Sequence, residues 1–261
     1  MLKTIGKITK YPRLTLKYPK KPMDSRLFIG APEIDKTLCT LCGECARRCP
    51  SRAIVMTADS IGINLDECVF CALCADICPS GAARMSSEFE LAQKDRGMLR
   101  VSPPYQDDGT ITGEPLENIE DRLAESIKKK FGRSLQIREV DAGSCNGCDY
   151  EANALNNPFN DVERLGIHFV ASPRHADMLL VTGCVTRNME LALIKTYNAT
   201  PDPKLVVAVG ACACSGGIFR DAYATRHGVG SVLPVDVYIP GCPPRPQAIM
   251  HGILKAINRI K

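Results

Sequence analysis

Two cysteine-rich segments of the same design repeat near the amino terminus. Each spells C-x2-C-x2-C-x3-C followed by proline, the first starting at Cys39 and the second at Cys68. Three cysteines at this spacing can hold three corners of one 4Fe-4S cubane. The fourth, turned away by a helix and the proline, reaches the cubane of the other repeat. The repeat therefore predicts a bacterial-type ferredoxin domain with two 4Fe-4S clusters.

The exchanged fourth cysteine defines two predicted ligand sets. The first set is Cys39, Cys42, Cys45 and Cys78. The second set is Cys68, Cys71, Cys74 and Cys49. Structural zinc is the alternative for so many thiols, but zinc sites use four ligands in two pairs, and two complete four-cysteine repeats with prolines do not follow that pattern.

Composition limits the other classes of function. Fourteen cysteines in a chain without a secretion signal favour metal ligation over disulfides. The net charge of +4 comes with no basic stripe interleaved with aromatic residues, which argues against nucleic-acid binding. No apolar run approaches the roughly 20 residues that cross a bilayer. We therefore expect the protein to stay in the cytoplasm. If it works at a membrane, it does so by docking to something that spans it.

The sequence divides into four parts. Residues 1–33 are basic and are predicted to be a solvated tail or a docking arm for an acidic partner or membrane surface. Residues 34–91 form the predicted ferredoxin domain, and residues 92–133 a proline- and glycine-rich linker with an amphipathic helix. The apolar positions of that helix are Leu116, Ile119, Leu123, Ile127 and Phe131. Residues 134–261 form the second domain.

The second domain reads as alternating strands and helices. IREVDAG, ADMLLVTG, KLVVAVG and VDVYIPG are apolar segments that each end in glycine, with helical patterns near 187–198 and 246–258. This order predicts a flavodoxin-like α/β domain with a parallel sheet, following an α+β ferredoxin-like domain. Parallel sheets bind ligands at the carboxyl ends of their strands, and the remaining cysteines mostly lie there.

Six cysteines remain, and one 4Fe-4S cluster needs four of them. Cys145 and Cys148 form a C-x2-C between glycines, ahead of a predicted helix whose amides favour an anionic cluster. Cys212 follows KLVVAVG, and Cys242 lies in the turn PGCPPRP. Because all four are at strand ends, they are the best candidates for a third ligand set.

The motifs SCNGCDYE, SPRHAD, VTGCVTR, GACACSGGIF and PVDVYIPGCPPRP occur in this order. Together they resemble the small subunit of energy-converting, group 4 nickel-iron hydrogenases, over about residues 135–258. The homologous subunit of respiratory complex I shares them more loosely. The N-terminal half, with its YPKKP segment, resembles the separate ferredoxin subunit of those complexes, so the two are fused here. Complex I relatives carry an adjacent cysteine pair, and the C-x2-C therefore favours the hydrogenase type.

The resemblance implies a third 4Fe-4S cluster, nearest the active site of a large partner subunit, with Cys145, Cys148, Cys212 and Cys242 as ligands. It also places Glu151 near the interface with that subunit, on a possible proton path. Cys184 and Cys214 match no ligand position. We expect Cys184 to be a small buried apolar residue and Cys214 to lie behind the ligands. Arg174 and His175 either hydrogen-bond near a cluster or serve the core or an interface.

The function expected from these features is electron transfer without a complete active site in this chain. Soluble ferredoxin would be the electron donor or acceptor. From reduced ferredoxin, electrons would pass through three 4Fe-4S clusters to the nickel-iron site of a large subunit that evolves hydrogen. A complex I-like module for a quinone, methanophenazine or sulfur compound is the first alternative. A free ferredoxin-type carrier is the second, but an apolar, cluster-bearing edge exposed to solvent argues against it.

Overall fold

The computed structural model describes residues 7, 10, 14–21, 23, 28–100 and 134–258. The predicted amphipathic helix and the linker beyond residue 100 lie outside the described residues, as does about half of the predicted basic arm. Of the helices that are described, none combines the length and the apolar character that a membrane span requires.

The N-terminal module is built from two copies of one strand–helix–strand unit. The first copy contains β1 (Pro32–Ile34), α1 (Glu44–Arg48) and β2 (Ile54–Met56), and the second contains β3 (Ile61–Ile63), α2 (Leu73–Asp76) and β4 (Ala83–Met85). β1 pairs antiparallel with β4, and β2 with β3. Because the first strand pairs with the last, the end of the second repeat returns to the beginning of the first.

The two cysteine loops follow the same backbone path. Equivalent positions of the two repeats take left-handed conformations: Leu41 and Phe70, Gly43 and Ala72, Arg52 and Gly81. Left-handed residues among right-handed ones turn successive backbone N–H groups toward one concave side. The equal spacing of the cysteines therefore produces two concave loops of equal shape.

The second domain is a five-stranded parallel sheet with the order β6-β5-β7-β8-β9. Its strands are β5 (Leu135–Asp141), β6 (Ile167–Phe169), β7 (Met178–Thr182), β8 (Leu205–Val209) and β9 (Val237–Ile239). Its α-helices are α3 (Gly147–Asn153), α4 (Arg187–Ala199), α5 (Gly210–Ser215) and α6 (Pro246–Asn258). Short 3-10 turns span Arg96–Leu99, Ala154–Asn156, Val162–Leu165, Pro173–His175, Gly217–Phe219 and Val229–Ser231.

Apolar residues cover both faces of this sheet. Every residue of β7 and β8 is buried, as expected for central strands of a parallel sheet between helices. Ile249 and Ile253 of α6 pack on one face, while Leu193 of α4 packs on the other. The predicted α/β domain is confirmed, with four of its five strands and both predicted helices in place. The additional strand is β6.

Two segments from the first half of the chain pack against the second domain. The backbone N–H of Leu16 donates to the carbonyl of Phe159 at 2.8 Å, and Arg164 donates to the carbonyl oxygens of Leu16 and Tyr18. Residues 14–21 of the predicted arm thus lie along the second domain. The described part of the predicted linker does the same, because Gln93 forms an antiparallel bridge with Tyr238 of β9.

Candidate metal centres

Four thiols surround a cavity at one end of the N-terminal module. The cavity is lined by the predicted first ligand set, Cys39, Cys42, Cys45 and Cys78. Gly43 and Ala82 are among the small residues that line it. Small residues at a concave loop leave room for backbone amides to approach a bound group. The donor set fits a 4Fe-4S cluster.

A second cavity lies in the other half of the module. It is lined by the predicted second ligand set, Cys49, Cys68, Cys71 and Cys74. Ile54, Ile63 and Val69 also line it, so its wall is more apolar than that of the first cavity. Burial raises the pKa of Cys68 to about 12. Such a thiol becomes a thiolate only when a bound cation compensates the charge, as cluster iron does.

The exchange of the fourth cysteine follows from the strand pairing. Because β1 pairs with β4, Cys78 is brought to the loop that begins at Cys39. The N–H of Ala83 and the Ser80 hydroxyl hydrogen-bond the Cys78 sulfur and lower the pKa of this thiol to about 7. The structure therefore brings together the two sets of four cysteines that the repeat predicts.

A third group of thiols forms where three strand ends of the parallel sheet meet. Cys145 lies between β5 and α3, Cys148 lies in the first turn of α3, Cys212 lies in α5 after β8, and Cys242 follows β9. The N–H of Ala211 donates to the carbonyl of Gly241 at 2.8 Å, which joins the last two loops. Burial raises the pKa of Cys148, and the charges of Cys212, Cys242 and Cys145 raise it further. The four thiols are thus neighbours, and their chemistry fits an iron-sulfur cluster.

Gly210 makes the approach of Cys148 possible. Its φ of +89° is in the left-handed region, and a Cβ on this residue would lie 2.5 Å from the Cys148 sulfur. It would also lie 3.4 Å from the carbonyl oxygen of Gly241, in the Cys242 turn. A side chain at residue 210 would therefore displace the Cys148 thiol and would touch the Cys242 turn. The order strand, glycine, cysteine in the sequence indicates a glycine close to the site. Only the structure shows that Cys148 is the thiol that needs the space beside this glycine.

The two cysteines without a predicted ligand role have different surroundings. Cys184 is buried after β7, and its thiol donates to the carbonyl of Gly143 at 3.5 Å. Its charge contributes to the raised pKa of Cys212, so it lies beside the third group. Cys214 is fully buried, and its thiol donates to the carbonyl of Ile239 at 3.5 Å. The sulfur of Cys214 is therefore engaged with the sheet.

A pair of carboxyl groups next to the third group was not predicted from the sequence. Asp149 accepts hydrogen bonds from Ser144 Oγ and, at 2.7 Å, from Thr182 Oγ1. Glu139 hydrogen-bonds Asp149, and burial together with this contact raises the pKa of Glu139 to about 7. The alternation of charged and apolar residues in β5 gave no sign that Glu139 faces another acid.

The three other charged residues considered from the sequence lie at opposite ends of the strands of the sheet. Burial raises the pKa of Glu151 in α3, whereas the nearby charge of Arg245 lowers it. Glu151 thus lies on α3, the helix that also contains Cys148 of the third group. Arg174 and His175 lie in a 3-10 turn that precedes β7. That turn is at the amino-end edge of the parallel sheet, opposite the cysteines, so a role of these two residues near the third group is not supported.

The second and third cysteine groups are the ones that approach each other. Burial raises the pKa of Cys242, and charges on Cys145 and on Cys71 raise it further. Cys71 lines the second cavity, so that cavity lies beside the third group. Burial raises the pKa of Cys74 in the same cavity, and a charge on Cys45 of the first set raises it further, so the second set neighbours both other groups. Among the described residues, no three His, Cys, Asp or Glu side chains converge as they would around one metal ion. The eight cysteines of the N-terminal module instead line two cavities.

Comparison with known proteins agrees with this division. Residues 145–256 match the family described as "NADH ubiquinone oxidoreductase, 20 Kd subunit", and residues 38–82 match the "4Fe-4S dicluster domain". One solved relative belongs to the membrane-bound sulfane sulfur reductase, an archaeal respiratory membrane complex. It is 41% identical, covers 53% of this chain and 75% of its own, and has a TM-score of 0.45.

Two curated relatives are similar over about half of this chain. "Probable membrane-bound hydrogenase subunit mbhJ" of Pyrococcus furiosus is 48% identical over 55% of this chain and 86% of the relative. "Formate hydrogenlyase subunit 7" of Escherichia coli is 48% identical over 52% of this chain, which spans only 53% of that relative's length. The chain therefore belongs to the family of the 20 kDa subunit of NADH–ubiquinone oxidoreductase and its hydrogenase counterparts, joined here to a 4Fe-4S dicluster domain.

Proposed function

We propose that this chain relays electrons from reduced ferredoxin, through three 4Fe-4S clusters, to the nickel-iron site of a large partner subunit that evolves hydrogen. The observation that carries the proposal is the serial arrangement of the three cysteine groups, with Cys71 of the middle group near Cys242 of the last. When bound, the clusters supply the one-electron carriers. The chain supplies their ligands, their spacing and their shielding from water.

The proposed ligands follow the three groups that the fold assembles. Cys39, Cys42, Cys45 and Cys78 would hold the first cluster. Cys68, Cys71, Cys74 and Cys49 would hold the second. Cys145, Cys148, Cys212 and Cys242 would hold the third, consistent with their shared position at the carboxyl ends of β5, β8 and β9.

Exposed apolar side chains near the third group support a large partner subunit. Tyr150 follows Cys148 and is 75% exposed, and Tyr223, in the segment after Cys212, is 86% exposed. Ile218 and Phe219 of that segment are also exposed. Large apolar side chains gathered around a cofactor site are typical of a subunit interface. Glu151, on the same helix as Tyr150, would lie close to this interface and is the proposed start of a proton path.

The same proposal implies where in the cell the subunit acts. The subunit would be peripheral, on the cytoplasmic side of the membrane, held there by the embedded subunits of its complex. The equivalent subunit of a complex I-like or sulfur-reducing oxidoreductase is the second candidate, favoured by the family match of residues 145–256. The C-x2-C of Cys145 and Cys148 favours hydrogenase over complex I, because complex I relatives carry an adjacent pair.

The test is to purify the complex through a tag on this chain and supply it with reduced ferredoxin. The proposal expects nickel in the complex and hydrogen from protons. Polysulfide and a soluble quinone analogue are offered in parallel as other acceptors. A complex that contains no nickel, evolves no hydrogen and reduces one of these acceptors would replace the first candidate by the second. A chain that purifies alone, as a stable monomer, would favour a free carrier.

A further inference from the structure

A buried carboxylate joins the two modules of the chain. The side chain of Asp66 is 0% exposed, and its Oδ2 accepts a hydrogen bond from Arg96 Nε at 2.7 Å and another from Arg100 Nε at 2.9 Å. Both arginines follow the ferredoxin domain, in the segment that pairs through Gln93 with β9. Charge-assisted hydrogen bonds out of contact with water are strong and directional. This segment is therefore tied to the sheet at one end and to the dicluster module at the other.

The second domain also contacts this point directly. Ser215 Oγ donates to the backbone carbonyl of Asp66 at 2.7 Å, and Arg220 Nη1 donates to the carbonyl of Ser51 at 2.8 Å. Glu67 accepts from Arg100 Nη2 at 2.5 Å and lies 3.4 Å from Arg220 Nη1. One network of two carboxylates and three guanidinium groups thus crosses the boundary between the modules.

The network is anchored beside proposed ligands of the two adjoining clusters. Asp66 and Glu67 immediately precede Cys68, and Ser51 lies two positions after Cys49. On the other side, Ser215 ends the helix that contains Cys212. A shift of the Asp66 network would therefore move ligands of the middle group relative to those of the third.

Comparison of the two repeats shows that these acids are not needed to hold a cluster. The positions equivalent to Asp66 and Glu67 in the first repeat are Thr37 and Leu38. Both are exposed, and Leu38 is 53% exposed. The first repeat surrounds its cavity without any buried acid at this place. The acids at this place in the second repeat therefore serve the contact between the modules.

We propose that Asp66, held by Arg96 and Arg100, is a positioning residue that fixes the middle cluster against the third and so sets the rate of electron transfer between the modules. This inference rests on the proposed relay. Asp66 acts through backbone placement alone. Replacing its carboxylate by a neutral amide removes the buried charge that pairs with the two partly exposed guanidinium groups, so the boundary must rearrange.

The test uses the full chain with its clusters, rapidly reduced and then frozen at increasing times for EPR. In Asp66→Asn, we expect the full iron content, a weaker spin–spin interaction between the middle and third clusters, and slower reduction of the third. The slowing should be about tenfold, since a misplacement of about 1 Å can cost even more in a geometry-dependent step. Arg100→Lys, which keeps the charge but cannot bridge Asp66 and Glu67, should show a smaller change in the same direction.

Glu44→Gln is the matched control, because Glu44 adjoins Cys45, and its ion pairs within the described part of the chain are with Arg47 and Arg48 of its own helix. It should leave the spin–spin interaction and the transfer rate unchanged. If Asp66→Asn and Arg100→Lys both retain the parent interaction and rate, the positioning role is wrong while the relay stands. If Asp66→Asn fails to fold, the spin–spin interaction and transfer rate of Arg100→Lys alone decide whether the positioning role holds. If the unmodified chain shows no transfer to a third cluster, the relay itself fails.

Discussion

Cys71 and Cys242 come from opposite halves of the chain, yet a charge on Cys71 raises the pKa of Cys242. The two thiols belong to the middle and the last of the three cysteine groups. Their approach places the middle group beside the last. In the proposed relay, electrons that arrive at the first group would pass through the second to reach the third.

Gly210→Ala should remove the third cluster and leave the other two. The added Cβ would lie 2.5 Å from the Cys148 sulfur, which is closer than any real contact of that kind, and φ is +89°. Iron should therefore fall from about 12 to about 8 per chain, as four-iron clusters at three sites require. Iron and acid-labile sulfide analysis of the reconstituted protein measures this.

Gly81→Ala is the control for backbone strain. Gly81 also has a positive φ, +66°, but nothing lies within 4 Å of its Cβ position. It should cost about 1 kcal/mol for the left-handed conformation and keep all the iron. Equal iron loss in both alanine variants would mean that the strain, and not the approach of Cys148, controls the third site.

Cys184→Ala and Cys214→Ala should both retain the full iron content. The Cys184 thiol contacts a carbonyl beside the third group, and the Cys214 thiol contacts the sheet. Each loses one buried sulfur, and we expect a cost of about 1 kcal/mol in the free energy of unfolding. Denaturation combined with iron analysis checks both. Loss of four irons in either variant, with retention in a Cys212 variant, would require a different ligand set.

Glu139→Gln should stabilise the protein more at high pH than at low pH. The pKa of Glu139 is raised from 4.5 to about 7 by burial and by its contact with Asp149. Between these values the unfolded chain is ionised while the folded chain keeps its proton, so stability falls as the pH rises. The loss is about 1 kcal/mol after allowance for solvent screening of a half-buried group, and glutamine removes it.

Thermal unfolding midpoints at pH 5 and pH 8 test the Glu139 prediction. The difference between variant and parent should grow in favour of the variant between the two. Glu151→Gln serves as a comparison, since the charge of Arg245 opposes the effect of burial there. The same difference between Glu139→Gln and parent at both pH values would show that the carboxyl pair is ionised throughout.

The cysteine loops could be predicted because their information is local. Three cysteines, a helical turn and Cys-Pro specify both the concave loop and the outward fourth ligand, and the two cavities contain the predicted sets. The strands β7 and β8 could be predicted equally well, since short apolar runs such as MLLVT and LVVAV that end in glycine are typical of buried parallel strands. β6 was missed because Ile167–Phe169 is three residues long and has no period to detect.

Contacts between distant segments left no such trace in the sequence. The N–H of Leu16 donates to the carbonyl of Phe159, and any residue pair could supply those backbone groups. Likewise, the sequence alone indicates an ordinary surface acid at Asp66, whereas in the fold this residue is buried against Arg96 and Arg100. Which acids pair, and with what, depends on tertiary packing that spacing does not encode.

The most direct test of the account is hydrogen evolution by a complex that contains Cys242→Ala. Cys242 lies in the turn that joins β9 to α6, and its thiol belongs to the last cysteine group. Both N-terminal clusters should still reduce, iron should fall to about 8 per chain, and ferredoxin-driven hydrogen evolution should be lost. Hydrogen–deuterium exchange by the large subunit should survive, as should hydrogen evolution in a Cys184→Ala control. Hydrogen evolution from reduced ferredoxin at the parent rate in Cys242→Ala would contradict the relay.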